Sequence, residues 1–436
     1  MKTTLLSLLL LILFSAQISY ANNSAEALAR KAVSENAAEA APAIEELRAL
    51  GPAGLQVLMA RYADEIKRHV ANPSAAPGEQ WQRIANALDN VAQQKNSYIA
   101  GLYWHTDLQS AKKASAESGK PILSLRLLGK LTDEFSCANS RFFRTVLYPN
   151  DAVATMLRER FVLHWQSVRP VPTVTIDFGD GRKLERTLTG NSIHYILDSQ
   201  ARPIDALPGL YGPQAFLRGL VNAESVFKSL AGKTDAEQNL LRLQYYVEQQ
   251  NKMALEWTAD TQKIGGEVPE GFRIVKGTDG QPDALSITPL AMTKAATETS
   301  ILRAMTAVFD SLGQITDEEA WKKIAQLHSS LAVLDGRSIS LIKRQNPALS
   351  NEQMERLLRK FQDLIALDMV RNEYMLHSTL YMWLMRDPAR GDVEKLNEKV
   401  YESLFLTPNS DPWLGLFSAD VYTALDNGGI VKPEHR

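Results

Sequence analysis

The chain carries a single cysteine, Cys137, in the run Phe135-Ser136-Cys137-Ala138-Asn139-Ser140-Arg141. Its setting points to nucleophilic chemistry more directly than that of any other side chain. The run reads as the start of a helix, where a thiol lies beside unpaired main-chain N–H groups and at the positive end of the helix dipole. Both favour the thiolate, the nucleophilic form. Arg141 and Arg144 on the first turns add positive charge, and Asp133 and Glu134 oppose them. On this reading Cys137 is the nucleophile and Arg141 stabilises its thiolate. Ser140, three residues on and on the same helix face, is a hydrogen-bond partner. Ser140 cannot resolve a mixed disulfide, so a thiol of this kind is released by an external thiol or acts by holding partners. One cysteine makes no internal disulfide. It is inert and buried, reactive, or half of an intermolecular bond, and the sequence leaves these open.

Other constellations carry less. The seven histidines are scattered, and no pair has metal-ligand spacing within a helix. His105, His164 and His194 fall in the middle of the chain and read as structurally hydrogen-bonded rather than converging. Asp177-Phe178-Gly179 resembles a kinase tripeptide but has no catalytic loop, and with Asp180 and Gly181 it fails the calcium-loop pattern. Met354, Met369, Met375, Met382 and Met385, interleaved with Leu357, Leu358, Phe361, Leu364, Tyr381 and Trp383, read as helix-packing core rather than a copper site. No cofactor and no metal is expected. Leu404–Pro408 and Asp411–Leu416 are apolar for a loop, and either fold back on the helices or form a partner surface.

The elements that must position Cys137 lie in residues 101–222. Thr106-Asp107-Leu108-Gln109 is a capping-box pattern opening a helix that ends at Gly119, before Pro121. A strand follows at 122–128, then the Cys137 helix, which Pro149 interrupts, and a second helix capped by Asn150. Strand 161–168 precedes an alternating stretch, 173–189, around Gly179-Asp180-Gly181, the pattern of a hairpin. Strands at 193–197 and 201–207 and a helix from Gly212-Pro213 close the set.

Three marks in this region resemble the thioredoxin-like fold family. Gly119-Lys120-Pro121-Ile122-Leu123 is similar to the family's lead into its central strand. Cys137-Ala138-Asn139-Ser140 stands at the strand-to-helix junction where the family places Cys-x-x-Cys or Cys-x-x-Ser. Ile196-Leu197-Asp198-Ser199-Gln200-Ala201-Arg202-Pro203-Ile204 resembles its strand–turn–strand ending, and Pro213–Leu217 its last helix. The resemblance implies a monothiol variant. Ser136 replaces the usual aromatic residue before the cysteine, and Ser192 stands where the family has its cis-proline, which faces the cysteine and helps hold an extended substrate chain. Where some members bury an acid on the central strand, near Leu125, the polar residue here is Arg126.

The flanks are helical. In residues 22–100, Gly51-Pro52 stops one helix and starts the next, within Pro42–Leu58, which resembles one HEAT-type unit or a plain helical hairpin. In 223–436, Thr288-Pro289, Thr316–Glu319 and Ser350–Gln353 are helix starts, and Asn351–Arg386 holds neither Gly nor Pro. Residues 259–287 read as a long loop or irregular insert. Lys2, the apolar stretch 4–14 and Ser19-Tyr20-Ala21 read as a signal peptide over 1–21, which predicts a periplasmic or secreted protein. No later run is long enough to span a bilayer.

Apolar content of 45 % and charged content of 22 % are those of ordinary globular protein, and a net charge of −2 gives no footprint for nucleic acid or anionic membrane. The expected fold is therefore an α/β thioredoxin-like central domain flanked by all-α N-terminal and C-terminal regions. The expected function is thiol–disulfide exchange, or mixed-disulfide capture of other exported proteins. The alternative is a non-enzymatic binding or scaffold protein that uses the same domain and its helical flanks.

Overall fold

A computed structural model describes residues 24–72, 76–188, 190–268, 308–386 and 391–414, together with Ala424 and Ile430. The expected signal peptide and the Thr288-Pro289 helix start lie outside the described residues.

The N-terminal part is helical, as expected: α1 (24–31), α2 (Ala37–Ala49), α3 (Pro52–Arg61), α4 (Ala63–Ala71) and α5 (Glu79–Ala92). Gly51, at φ +66°, makes the turn between α2 and α3 that an L side chain resists, and Pro52 opens α3. Leu47, Leu55, Leu58, Ile84, Leu88 and Val91 form the heart of a core of their own.

The middle of the chain holds β1 (Trp104–His105), α6 (Leu108–Ser118), β2 (Ile122–Leu128), α7 (Ala138–Phe142), α8 (Asp151–Arg160), β3 (Val162–Arg169), β4 (Thr173–Asp177), β5 (Lys183–Thr187), β6 (Ser192–Leu197), β7 (Pro203–Pro208) and α9 (Pro213–Leu230). Five strands form one sheet in the order β1-β3-β2-β6-β7. β1, β3 and β2 run parallel, β6 is antiparallel to β2, and β7 is antiparallel to β6. Every residue of β2, β6 and β7 is buried, which is why these strands read as near-continuous apolar runs. β4 and β5 form a separate hairpin, with Ile176, Phe178, Leu184 and Leu188 exposed. The expected order of elements is present, with β1 as an additional short strand.

The C-terminal helices are α10 (Asp235–Lys263), α11 (308–315), α12 (Glu318–Leu327), α13 (Gly336–Gln345), α14 (Asn351–Arg371), α15 (Ser378–Arg386) and α16 (Val393–Lys399). A π turn, Asn372–His377, joins α14 to α15, so the Gly- and Pro-free stretch from Asn351 to Arg386 is one rod with a bulge in it. Along it Met354, Met369 and Met385 are buried, while Met375 is exposed. α10 runs five residues into the region expected to be irregular, to Lys263. These helices share a single core with the sheet, from Trp104 through Phe216 and Trp257 to Tyr401.

Two expected caps are displaced by one residue. Asp107, not Thr106, caps α6, because Thr106 Oγ1 accepts from Arg48. Asp317, not Thr316, caps α12, because Thr316 Oγ1 accepts from Trp257 Nε1 and donates to Leu312 O. In both places the acidic side chain takes the N3 amide, and the hydroxyl is drawn into a tertiary contact. Ser350 and Asn150 cap as expected.

Candidate functional site at Cys137

Cys137 is the N-cap of α7, which continues into a π turn, Phe143–Leu147. The chain arrives from β2 through the loop at 129–136, and the Cys137 N–H donates to Leu128 O at 3.3 Å. The strand-to-helix placement expected from the sequence is therefore the one observed. The thiol itself is 0 % exposed, although Ala138 beside it is exposed and Asn139 half-buried, so Sγ lies just under the surface.

Burial decides the chemistry. Loss of hydration pushes the Cys137 thiol up from its ordinary pKa, and the opposing pull of Ser140 and Leu128 main-chain groups, the Ser140 hydroxyl and the Arg141 charge is smaller. The expected lowering is thus reversed: the cap position is real, but water is excluded from it, and a helix end offsets only part of that cost.

The expected partners are near, and each is also engaged by other groups. Ser140 is fully buried and donates its hydroxyl hydrogen bond to Ser136 Oγ. Arg141 Nη1 donates to Ser136 O at 2.9 Å and to Thr187 Oγ1 at 2.8 Å, tying α7 to the end of β5. Arg144, only 3 % exposed, donates to Ser136 Oγ at 3.1 Å, and its charge acts on Cys137. Its Nε and Nη1 have no hydrogen-bond partner among the described residues.

The loop before β6 forms the other wall. Gly190 presses against α7 so closely that a Cβ there would meet Asn139 Oδ1 at 2.9 Å. Asn139 Nδ2 donates to Ser192 Oγ at 3.0 Å, and Cys137 Sγ lies 4.0 Å from Asn191 O. No peptide bond among the described residues is cis, so Ser192 opens β6 through an ordinary trans bond.

The roof comes from the far end of the chain. Tyr401 OH donates to Asn191 O at 3.3 Å, and Asn191 Nδ2 donates to Thr407 Oγ1 at 2.9 Å and Phe405 O at 3.3 Å. Below them Tyr195 OH donates to Asn397 Oδ1 at 3.3 Å. Arg126, 1 % exposed in the middle of β2, pairs with Glu394 Oε1 at 2.6 Å. Leu404–Pro408 therefore folds back over the loop that leads into β6, one of the two outcomes its composition allowed. Of Asp411–Leu416, the described part holds Arg169, whose guanidinium donates to Asp411 O at 2.8 Å, Pro408 O at 3.1 Å and Pro412 O at 3.2 Å.

The histidines do not converge. His164 Nδ1 lies 2.8 Å from Ser124 Oγ, and His194 Nε2 lies 2.8 Å from Tyr148 OH. Burial lowers each to a pKa of about 3. His105 is the register partner of His164 across β1 and β3. Among the described residues no group of three or more His, Cys, Asp or Glu could hold a metal ion.

A second polar cluster went unread in the sequence. Asp205, buried in β7, accepts from Tyr245 OH and from Tyr381 OH at 3.1 Å, and its Oδ1 lies 3.0 Å from His377 Nε2. His377 Nδ1 lies 3.4 Å from Tyr211 OH, so both ring nitrogens have partners. The cluster clamps the sheet to α10 and α15. Its one visible signal was a lone carboxylate in an apolar strand flanked by prolines.

Comparison with family models, with curated proteins and with solved structures finds no match to this chain. No helix among the described residues is long and apolar enough to cross a membrane.

Proposed function

We propose that the chain is an exported protein with a thioredoxin-like domain that works by binding other exported proteins, not by thiol–disulfide exchange. The strand order β1-β3-β2-β6-β7, with three parallel strands and two antiparallel ones, supports the thioredoxin-like reading. So do the cysteine at the junction after the central strand and the loop of Asn191 and Ser192 facing it.

One observation carries the choice against exchange: Cys137 is wholly buried, with its pKa raised. Exchange needs an accessible thiolate to attack a disulfide sulfur in line, and this conformation offers neither the charge nor the access. A trans Ser192 in place of a cis-proline points the same way. The scaffold is kept, and the site that would make it an oxidoreductase is closed.

Crosslinking in the exporting cell tests the reading. Wild type and Cys137→Ser are expected to capture the same partners, because binding does not pass through the thiol. Partners lost with Cys137→Ser and released from wild type by reductant would be mixed disulfides, and would overturn it.

A further inference from the structure

The roof over Cys137 differs from the rest of the core in how it is held. Its apolar anchors lie mainly on one helix face, Val393, Leu396, Val400 and Tyr401, with Leu404 and Phe405 only partly buried against the core. Many of its attachments are polar and come from four side chains of the sheet and its loops, namely Arg126 to Glu394, Tyr195 to Asn397, Asn191 to Phe405 and Thr407, and Arg169 to Pro408, Asp411 and Pro412. The five acceptors that Asn191 and Arg169 reach there are four main-chain carbonyls and one hydroxyl. Carbonyls carry no side-chain identity, so any extended polypeptide can present the same set.

The segment also stores instability of its own. Leu406 holds a left-handed conformation at φ +53° with its side chain 74 % exposed, a state that costs a non-glycine residue about 1 kcal/mol. Arg126 is buried on β2, yet its charge is balanced by Glu394, which is half-exposed on the roof. While the roof is down that guanidinium depends on one carboxylate; with the roof up it is open to water. Arg144, buried and partly unpartnered, donates at 3.1 Å to Oγ of Ser136, the residue next to Cys137.

We propose that residues 393–412 are a displaceable cover, and that lifting it bares Cys137 together with the Asn191 and Arg169 donors, which then take a main-chain segment of a bound protein in the cover's place. This rests on the binding reading above and adds to it the surface, the class of partner and the device that keeps the surface closed. No covalent step is needed; an uncovered Cys137 simply becomes accessible.

Labelling of Cys137 by iodoacetamide in the intact chain, followed against urea below the unfolding transition, measures how much structure must open to reach the thiol. The expected result is slow labelling with a urea dependence far smaller than that of global unfolding. Glu394→Ala should speed it by at least about tenfold, since the closed state then strands the Arg126 charge. Labelling with the full urea dependence of unfolding would overturn the cover and leave the sealed-thiol reading intact. Labelling as fast as in the unfolded chain, without urea dependence, would sink the sealed thiol itself. The wild-type urea dependence decides the matter should Glu394→Ala fail to fold. Hydrogen exchange of wild type adds an independent reading: amides of 394–405 should exchange together and faster than those of β2, and exchange as slow as β2 would overturn the cover.

Discussion

At the scale of single residues, position and environment must be told apart. Cys137 caps a helix after a central strand, as its sequence neighbours indicate, yet desolvation outweighs what the helix end and Arg141 supply. Nothing local reveals this, because the groups that exclude water, Asn191 and Tyr401, come from remote parts of the chain. Arg126 makes a related point. A buried cation costs most when its partner alone is removed. Arg126→Met, which removes the charge with its desolvation, should therefore shift stability in urea by less than about 1 kcal/mol, whereas Glu394→Ala should cost more. Equal losses would mean that the pair does not act as a unit. Asp205→Ala leaves two phenols and His377 without their shared acceptor, and should cost about 3 kcal/mol or more by the same assay. Acid should be destabilising through His164 and His194. Each has a folded pKa of about 3, below the unfolded value of about 6.5, so the unfolded chain binds more protons between those limits. The stability they provide is present above about pH 6.5 and is lost as pH falls toward 3, by up to about 1.4 kcal/mol per pH unit for each histidine. Urea midpoints unchanged between pH 7 and pH 5 would contradict it.

At the scale of elements, the strands and most helix starts were legible because local patterns dictate them. Continuous apolar runs gave β2 and β6, Gly51-Pro52 gave the α2–α3 turn, and Ser350 gave the start of α14. The misses arise where tertiary contacts compete with local ones. Thr106 and Thr316 are spent on Arg48 and Trp257, so the next residue caps. The π turn at Asn372–His377 has no local pattern; it turns Tyr374 toward Asp260 and His377 toward Asp205. The β4–β5 hairpin was read from its glycines, but its lack of cover was not, since alternation predicts one buried face. Ile176→Ser and Leu184→Ser should therefore change stability by no more than about 0.5 kcal/mol, because both residues are exposed in the chain as it stands. A loss of about 2 kcal/mol or more would show that the hairpin is packed in solution.

At the scale of the whole molecule, two cores organise the chain. One belongs to the N-terminal helices and the other runs through the sheet into the C-terminal helices. Arg48 bridges them by donating to Val91 O and Trp104 O, each at 3.0 Å, and Arg344 does so through Tyr98 OH at 2.6 Å. The C-terminal helices are thus part of the body that holds the sheet. Their last segment covers the end of the sheet at which Cys137 lies, and on the proposed reading that arrangement would set a binding scaffold apart from an exchange enzyme built on the same strands. The most direct test compares the second-order rate of iodoacetamide with Cys137 in the folded chain and in the urea-unfolded chain, both at about pH 8. A sealed thiol should react at least about a hundredfold more slowly when folded, as an opening cost of about 2.7 kcal/mol requires. A folded chain that reacts as fast as the unfolded one, or faster, would mean an accessible thiolate and would contradict the central claim.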